Sequence, residues 1–212
     1  MREDTRTLVF AASTCLIVSL LLSVTAAALK PAQVANEKLD VKKNIIKAFG
    51  VDISDKAEWT AEKIEEAFAQ YISDASTDEL QVYTWTDDGA DAPSKYAFPI
   101  SGKGLWGDIF GYLALQSDLE TIAGISFYKH VETPGLGAEI EKPWFQTQFK
   151  GKKLYKEGAP VPFAVAKPGT PLTDTSVDGI SGATLTGKGV QAFIREDAAA
   201  YADYFNSLKE GK

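Results

Sequence analysis

The decapeptide DGISGATLTG, Asp178 to Gly187, packs three glycines, one alanine and three hydroxyl residues into ten positions. Side chains this small leave little to fill a core, but they let the backbone approach another molecule closely. Beyond it, Val190, Phe193, Ile194, Ala198, Tyr201, Tyr204, Phe205 and Leu208 fall on one stripe at helical spacing, which predicts a helix over about 188–208. The loop therefore leads into a helix N-terminus, where unpaired N–H groups and a partial positive charge favour a phosphate. Gly182 and Ala183 admit such a group without a side-chain clash, and Ser181, Thr184 and Thr186 supply hydroxyl donors. The plainer reading of the same residues is a Thr-capped helix after a glycine turn. The Gly-Lys-Ser/Thr ending of a Walker loop is absent.

Upstream of the loop the helical pattern gives way to apolar runs rich in Gly and in β-branched or aromatic residues. ELQVYTWTDDGADAPSKYAFPI, residues 79–100, reads as a strand, an Asp-Gly turn and a second extended piece. Strands follow around 107–115 and 121–131, joined through Gln116-Ser117-Asp118. ETPGLG, Glu132 to Gly137, ends the second of these with a proline and two glycines, a stiff turn whose backbone can lie against a flat group. KPWFQTQFKG is a short helix with Pro143 near its start, and VPFAVAK another strand. Nearer the N-terminus, residues 31–49 form a helix with Val34, Val41, Ile45 and Phe49 on its stripe. Glu58-Trp59-Thr60 opens a second helix carrying Ile64, Ala67, Phe68 and Tyr71 on one face. The fold class is α+β, an antiparallel sheet flanked by helices.

Leu8 to Leu29 is uncharged over 22 residues, and crossing a bilayer core takes about 20 in a helix. The expected organisation is a short N-terminus (1–7), a single transmembrane helix (8–29), a helical stalk (30–58) and one globular domain (59–212). The competing reading is a cleaved signal peptide, whose apolar core is ordinarily shorter, about 7–15 residues. Lysines at 30, 38, 42 and 43 follow the span while Arg2 and Arg6 precede it, so a Lys/Arg count favours the C-terminal side as cytoplasmic.

The 212 residues are 45% hydrophobic and 11% aromatic, enough to fill a core. The net charge of −7, with no basic block, argues against a nucleic-acid partner. Cys15 and His130 are the sole cysteine and histidine, too few for a disulfide, zinc or iron–sulfur site. Redox chemistry, if the chain takes part in any, rests on an organic cofactor.

SGAT with Asp178-Gly179 before it is similar to the flavinylation motif of the FMN-binding domain family. LDVKKNIIKAFG (39–50), GKGLWGDIFGYLAL (102–115), HVETPGLGAEI (130–140), FKGKKL (149–154) and VDGISGATLTGKGV (177–190) together resemble the C-subunit branch of that family, from sodium-translocating NADH:quinone oxidoreductases. The resemblance implies one FMN joined by a phosphoester to Thr184 and installed by a flavin transferase from FAD. It also implies that Ser181, Gly182 and Ala183 wrap the phosphate, with Asp178 in the motif that the transferase reads. Thr186 would cap the helix or hydrogen-bond the cofactor. Glu132, Thr133 and Leu136 would line the ring pocket, and Lys167 would place a cation near the phosphate or ribityl chain. Gly104, Leu105 and Trp106 either close the pocket or belong to the core; His130 has no catalytic role. Gly187-Lys188 stands where a Ser is common in the family, which bears on how the helix starts.

The implied function is electron relay within a membrane complex that oxidises NADH, reduces ubiquinone and exports sodium, those ligands binding elsewhere in the complex. The implied location is a bacterial inner membrane with the flavin domain in the periplasm, against the charge count. The alternatives are the flavin-bearing component of an Rnf-type complex fed by ferredoxin, and a non-redox anchored binding domain.

Overall fold

The computed structural model describes residues 2–53, 55 and 58–211. They form two units, one ending at Leu39 and the other starting at Asp40. The first unit is the larger part of helix α1 (Arg2–Ala48). Its apolar side chains are exposed, for example Phe10 at 71% and Leu22 at 66%, and its most apolar window has a mean hydropathy of 2.3. The helix is long and apolar enough to cross a membrane. It runs unbroken past residue 29, where the sequence reading divides span from stalk, and through Pro31. An interior proline removes one N–H from the ladder and crowds the carbonyl four residues earlier, at a cost of about 3 kcal/mol.

The second unit takes in the end of the expected stalk. Ile45, Ile46, Ala48 and Phe49 are buried there, and Asn44 is tied to the sheet because its Oδ1 accepts the buried Ser126 hydroxyl at 2.6 Å. Residues 54, 56 and 57 of that stalk lie outside the described residues. Helix α2 (Ala61–Tyr71) begins at Thr60, whose side chain accepts the Lys63 N–H; Ile64 and Ala67 are its buried positions.

An antiparallel meander follows, with strands in chain order: β1 (Ile72–Asp74), β2 (Tyr83–Trp85), β3 (Lys95–Lys103), β4 (Asp108–Gln116) and β5 (Ile122–Lys129). β3 and β4 pair over nine positions from Lys95↔Gln116 to Lys103↔Asp108. β4 and β5 pair less regularly, with bulges at Phe110/Gly111 and Ala114/Leu115. Their connection is held by Asp118, whose carboxylate accepts the N–H groups of Glu120 and Thr121 beside the left-handed Leu119 (φ 57°).

After β5 come a 3₁₀ turn (Gly137–Glu141), the one-turn helix α3 (Pro143–Gln146), and a second 3₁₀ turn (Thr147–Phe149). Two small pairs complete the irregular half. β6 (Tyr155–Lys156) is antiparallel to β7 (Ala159–Pro160), and β8 (Ala164–Ala166) is parallel to β9 (Ser176–Asp178). The expected strand at VPFAVAK thus narrows to three residues, while β1, β6, β7 and β9 are too short to show periodicity.

Helix α4 (Thr184–Glu210) closes the chain and lies against β3. Val190, Phe193, Ile194, Ala198, Tyr201 and Phe205 are buried, with Tyr204 and Leu208 at the margin, as the stripe predicts. The helix starts four residues before the expected Lys188. Gly187, which looks like a break in the sequence, is buried inside it near Val165. Packing offsets the roughly 1 kcal/mol that a helical glycine costs. The core lies between this helix and the meander, extended by Phe145, Phe149 and Phe163.

Candidate functional site

Thr184 is exposed and is the first residue of α4, with Ala183 at the N-cap. The N–H groups of Thr184, Leu185 and Thr186 have no carbonyl to bond within the helix, so they face the loop as donors. No side chain caps this end. Thr186 is therefore not the cap that the sequence reading offers as one of its roles. It lies a turn inside, 1% exposed, and its hydroxyl donates to Glu132 Oε2 at 2.6 Å.

The loop before Thr184 is set by β9 and by one positive backbone angle. β9 ends at Asp178, which pairs with Ala166, and the Gly179 N–H then bonds the Ala166 carbonyl at 2.9 Å. Gly182 has φ 77°, in the left-handed region that favours glycine, and a Cβ there would stand 2.9 Å from Leu136 Cδ2. Ser181 and Gly182 are exposed and Ala183 is buried. The Asp178 main chain is clasped by Gln148, whose Oε1 accepts its N–H at 2.8 Å. The Asp178 Oδ1 is buried without a partner among the described residues. An acceptor left open beside the glycine loop suits a hydroxyl donor on a bound molecule. Lys167 is exposed one residue beyond Ala166, on the strand that pairs with Asp178.

The second wall comes from the end of β5. Thr133-Pro134-Gly135-Leu136 is a tight turn: the Leu136 N–H bonds the Thr133 carbonyl at 3.1 Å, and Gly135 has φ 74°. Thr133 and Leu136 are exposed, Leu136 at 42%, and Leu136 meets the glycine loop at Gly182. Glu132 does not join them at the surface. It is 5% exposed, and its Oε1 accepts the Trp106 N–H at 2.9 Å while Oε2 holds Thr186. Its own N–H bonds His130 Nδ1, which leaves the proton of a neutral ring on Nε2, 2.8 Å from the Glu141 carboxylate but poorly aligned with it.

The third wall is the β3–β4 turn. Its closing bond runs from the Gly104 N–H to the Gly107 carbonyl, and Lys103 pairs with Asp108 at 2.7 Å. Of the two readings open for Leu105 and Trp106, the core is excluded: they are 46% and 68% exposed. With Val131, Leu136 and Leu185 they make an exposed apolar rim around the turns that Glu132 joins. A cavity of about 470 Å³ lies elsewhere, among Lys43, Lys47, Gly124, Gln146 and Lys150, and takes in no residue of these three turns. The site is an open apolar surface beside a helix N-terminus. That arrangement can hold an anionic tail by N–H groups and a flat group by its face.

The model of the FMN-binding domain matches residues 104–198, a span that contains all three turns and most of α4. Curated relatives carry the comparison further along the chain. The C-subunit of the Na(+)-translocating NADH-quinone reductase of Vibrio vulnificus is 33% identical over 83% of both chains. Its counterpart from Pseudomonas aeruginosa is 30% identical over 91% of this chain and 90% of its own. Among solved structures, the same C-subunit from Parabacteroides distasonis superposes with a TM-score of 0.70 at 32% identity, covering 82% of this chain and 94% of that one. NqrC from Shewanella oneidensis gives 0.71 at 24% identity, covering 84% of this chain and 99% of its own, and supports the fold. The chain belongs to the C-subunit family of Na(+)-translocating NADH-quinone reductases.

Proposed function

We propose that this chain is the flavin-carrying electron relay of a sodium-translocating NADH:quinone reductase, with one FMN held by a phosphoester at Thr184. The observation that carries the reading is the placement of Thr184, an exposed hydroxyl on the first residue of a 27-residue helix, behind a loop that Gly182 turns with φ 77°. The phosphate would take the N–H groups of the first turn together with Ser181, Gly182 and Ala183. Leu136 and Thr133 on one side, and Leu105 and Trp106 on the other, would face the ring. Lys167 and the open Asp178 Oδ1 would face the phosphate-to-ribityl chain, the lysine as a cation and the carboxylate as an acceptor. A bound flavin supplies the redox chemistry; the chain supplies tether, orientation and an exposed face toward a partner. Nothing in this role requires a general base or a nucleophile.

The partners in this reading are the other subunits of the complex, and a flavin transferase during maturation. The span from Leu8 to Leu29 crosses a bacterial inner membrane once, with residues 1–7 inside and the flavin domain in the periplasm. The domain boundaries in this reading are those given from the sequence, and the compact folded unit begins inside the stalk, at Asp40.

The test is the mass of the denatured, digested protein after expression with a flavin transferase. The peptide containing Thr184 should gain one FMN less one water. Thr184→Ala should lose that gain entirely, and Thr186→Ala should still carry it. Unmodified peptide from the native membrane would overturn the reading.

A further inference from the structure

Glu132 joins two parts of the site that lie far apart in sequence, and both of its carboxylate oxygens are committed. One accepts the Trp106 N–H, 26 positions earlier, at 2.9 Å; the other accepts the Thr186 hydroxyl, 54 positions later, at 2.6 Å. Glu132 and Thr186 are 5% and 1% exposed, so water does not compete for these bonds. Glycines close the carboxylate in. A Cβ on Gly104 would stand 2.5 Å from Oε1, and one on Gly137 would stand 2.5 Å from Oε2 and 2.6 Å from Thr186 Oγ1.

At its base the hairpin packs on α4, where Gly189 lies close to the Lys103 carbonyl and Gly104. Without the Glu132 tie, the hydrogen bonds and ion pairs of the tip are the Gly104–Gly107 bond and the exposed Lys103–Asp108 pair, and neither reaches α4. Yet the hairpin tip presents Leu105 and Trp106, and the first turn of α4 presents Thr184 and Leu185. Their separation fixes how a group tethered at Thr184 would meet the apolar wall.

We propose that Glu132 is a positioning residue that locks the first turn of α4 to the Leu105–Trp106 hairpin, so that the attachment hydroxyl and the ring-facing wall form one preorganised site. This deepens the flavin reading and rests on Thr184 as the point of attachment. In this proposal Glu132 acts through the two loops that it joins.

The chemistry of the two contacts selects the variants. In E132Q the amide oxygen can accept the Trp106 N–H while its NH₂ donates to Thr186 Oγ1, so both contacts survive. E132A removes both. T186V removes one and keeps the volume, and T186S keeps the hydroxyl.

Hydrogen exchange is measured on the full chain in detergent, without flavin, over peptides covering residues 104–108 and 183–188. Exchange in both should rise about tenfold or more in E132A and stay within about twofold of wild type in E132Q, as a local opening requires. The same proteins are then incubated with flavin transferase and FAD, and loading is followed by mass and by the visible circular dichroism of the attached flavin. E132A should load more slowly and show a weakened dichroic band, while E132Q should match wild type in both. Wild-type exchange in E132A would overturn the tie. Raised exchange with unchanged loading and dichroism would reduce Glu132 to a structural role and overturn the proposal. If E132A does not fold, T186V and T186S carry the same comparison. Failure of the attachment reading is separately visible, because wild type itself would then carry no FMN at Thr184, and the proposal would fall with it.

Discussion

Replacing Gly189 with alanine sets two effects of opposite sign against each other. Gly189 lies inside α4, and a helical Gly→Ala exchange gains about 0.8–1.0 kcal/mol from backbone entropy alone. The new Cβ, however, would stand 2.2 Å from the Lys103 carbonyl oxygen and 3.2 Å from Gly104 Cα. Both neighbours are backbone, so no rotamer can relieve the contact. The shortfall from an ordinary carbon–oxygen separation of about 3.3 Å is about 1 Å, which α4 or the hairpin must supply by moving apart. Overpacking of this kind costs about 1–3 kcal/mol, and a rigid backbone neighbour places it at the upper end. Subtracting the propensity gain leaves a net loss of about 2 kcal/mol. For a unit of this size that corresponds to about 4–8 °C in melting temperature.

The assay is thermal unfolding of the full chain in detergent, followed by circular dichroism. Gly187→Ala is the matched control in the same helix. Its Cβ would meet only Val165, with Cγ1 at 3.2 Å, a side-chain methyl that can give way. That variant should melt at or above wild type. A G189A protein as stable as wild type, or a G187A protein falling equally far, would refute the claim that α4 rides directly on the hairpin backbone.

Other expectations follow from groups outside the site. Burial pushes the Asp197 carboxyl up to about 6, against the Ser101 N–H that it accepts at 2.9 Å. A raised carboxyl favours the protonated fold, so this contribution is present below the usual carboxylate range and is lost as pH rises toward and through 6. Because the side chain is partly solvated, this contribution should amount to no more than about 1–1.5 kcal/mol. Urea titrations between pH 4 and 7.5 should show that slope in wild type and lose it in Asp197→Asn. Burial also acts to raise Asp118, yet its bonds from Thr121, Glu120 and Lys153 outweigh it and hold the carboxyl below its usual range. Stability from Asp118 should therefore be lost as pH falls below that range, and Asp118→Ala should cost about 1–2 kcal/mol in the same urea assay by freeing the left-handed Leu119 turn. Tyr155→Phe removes a 2.7 Å bond to the Ala198 carbonyl and should cost about 1 kcal/mol, read from the denaturation midpoint, with no change in flavin loading.

What the sequence by itself determined is the part of the protein written in local pattern. The uncharged run from Leu8 to Leu29 shows in composition, the eight-residue stripe of α4 in helical spacing, and β3, β4 and β5 in short apolar runs bounded by turn residues. Each could therefore be read from neighbours a few positions apart. The glycine–threonine loop was legible for the same reason, since its glycines and hydroxyls are contiguous. Tertiary structure decided the rest. It starts α4 at Thr184, four residues before the expected Lys188, with Gly187 buried inside the helix. It turns Glu132 inward and buries Thr186, while leaving Trp106 at 68% exposure. A buried carboxylate needs donors, and the donors it finds lie 26 positions before it and 54 positions after it. No periodicity spans such distances; only the packing of α4 on the hairpin brings those groups within reach.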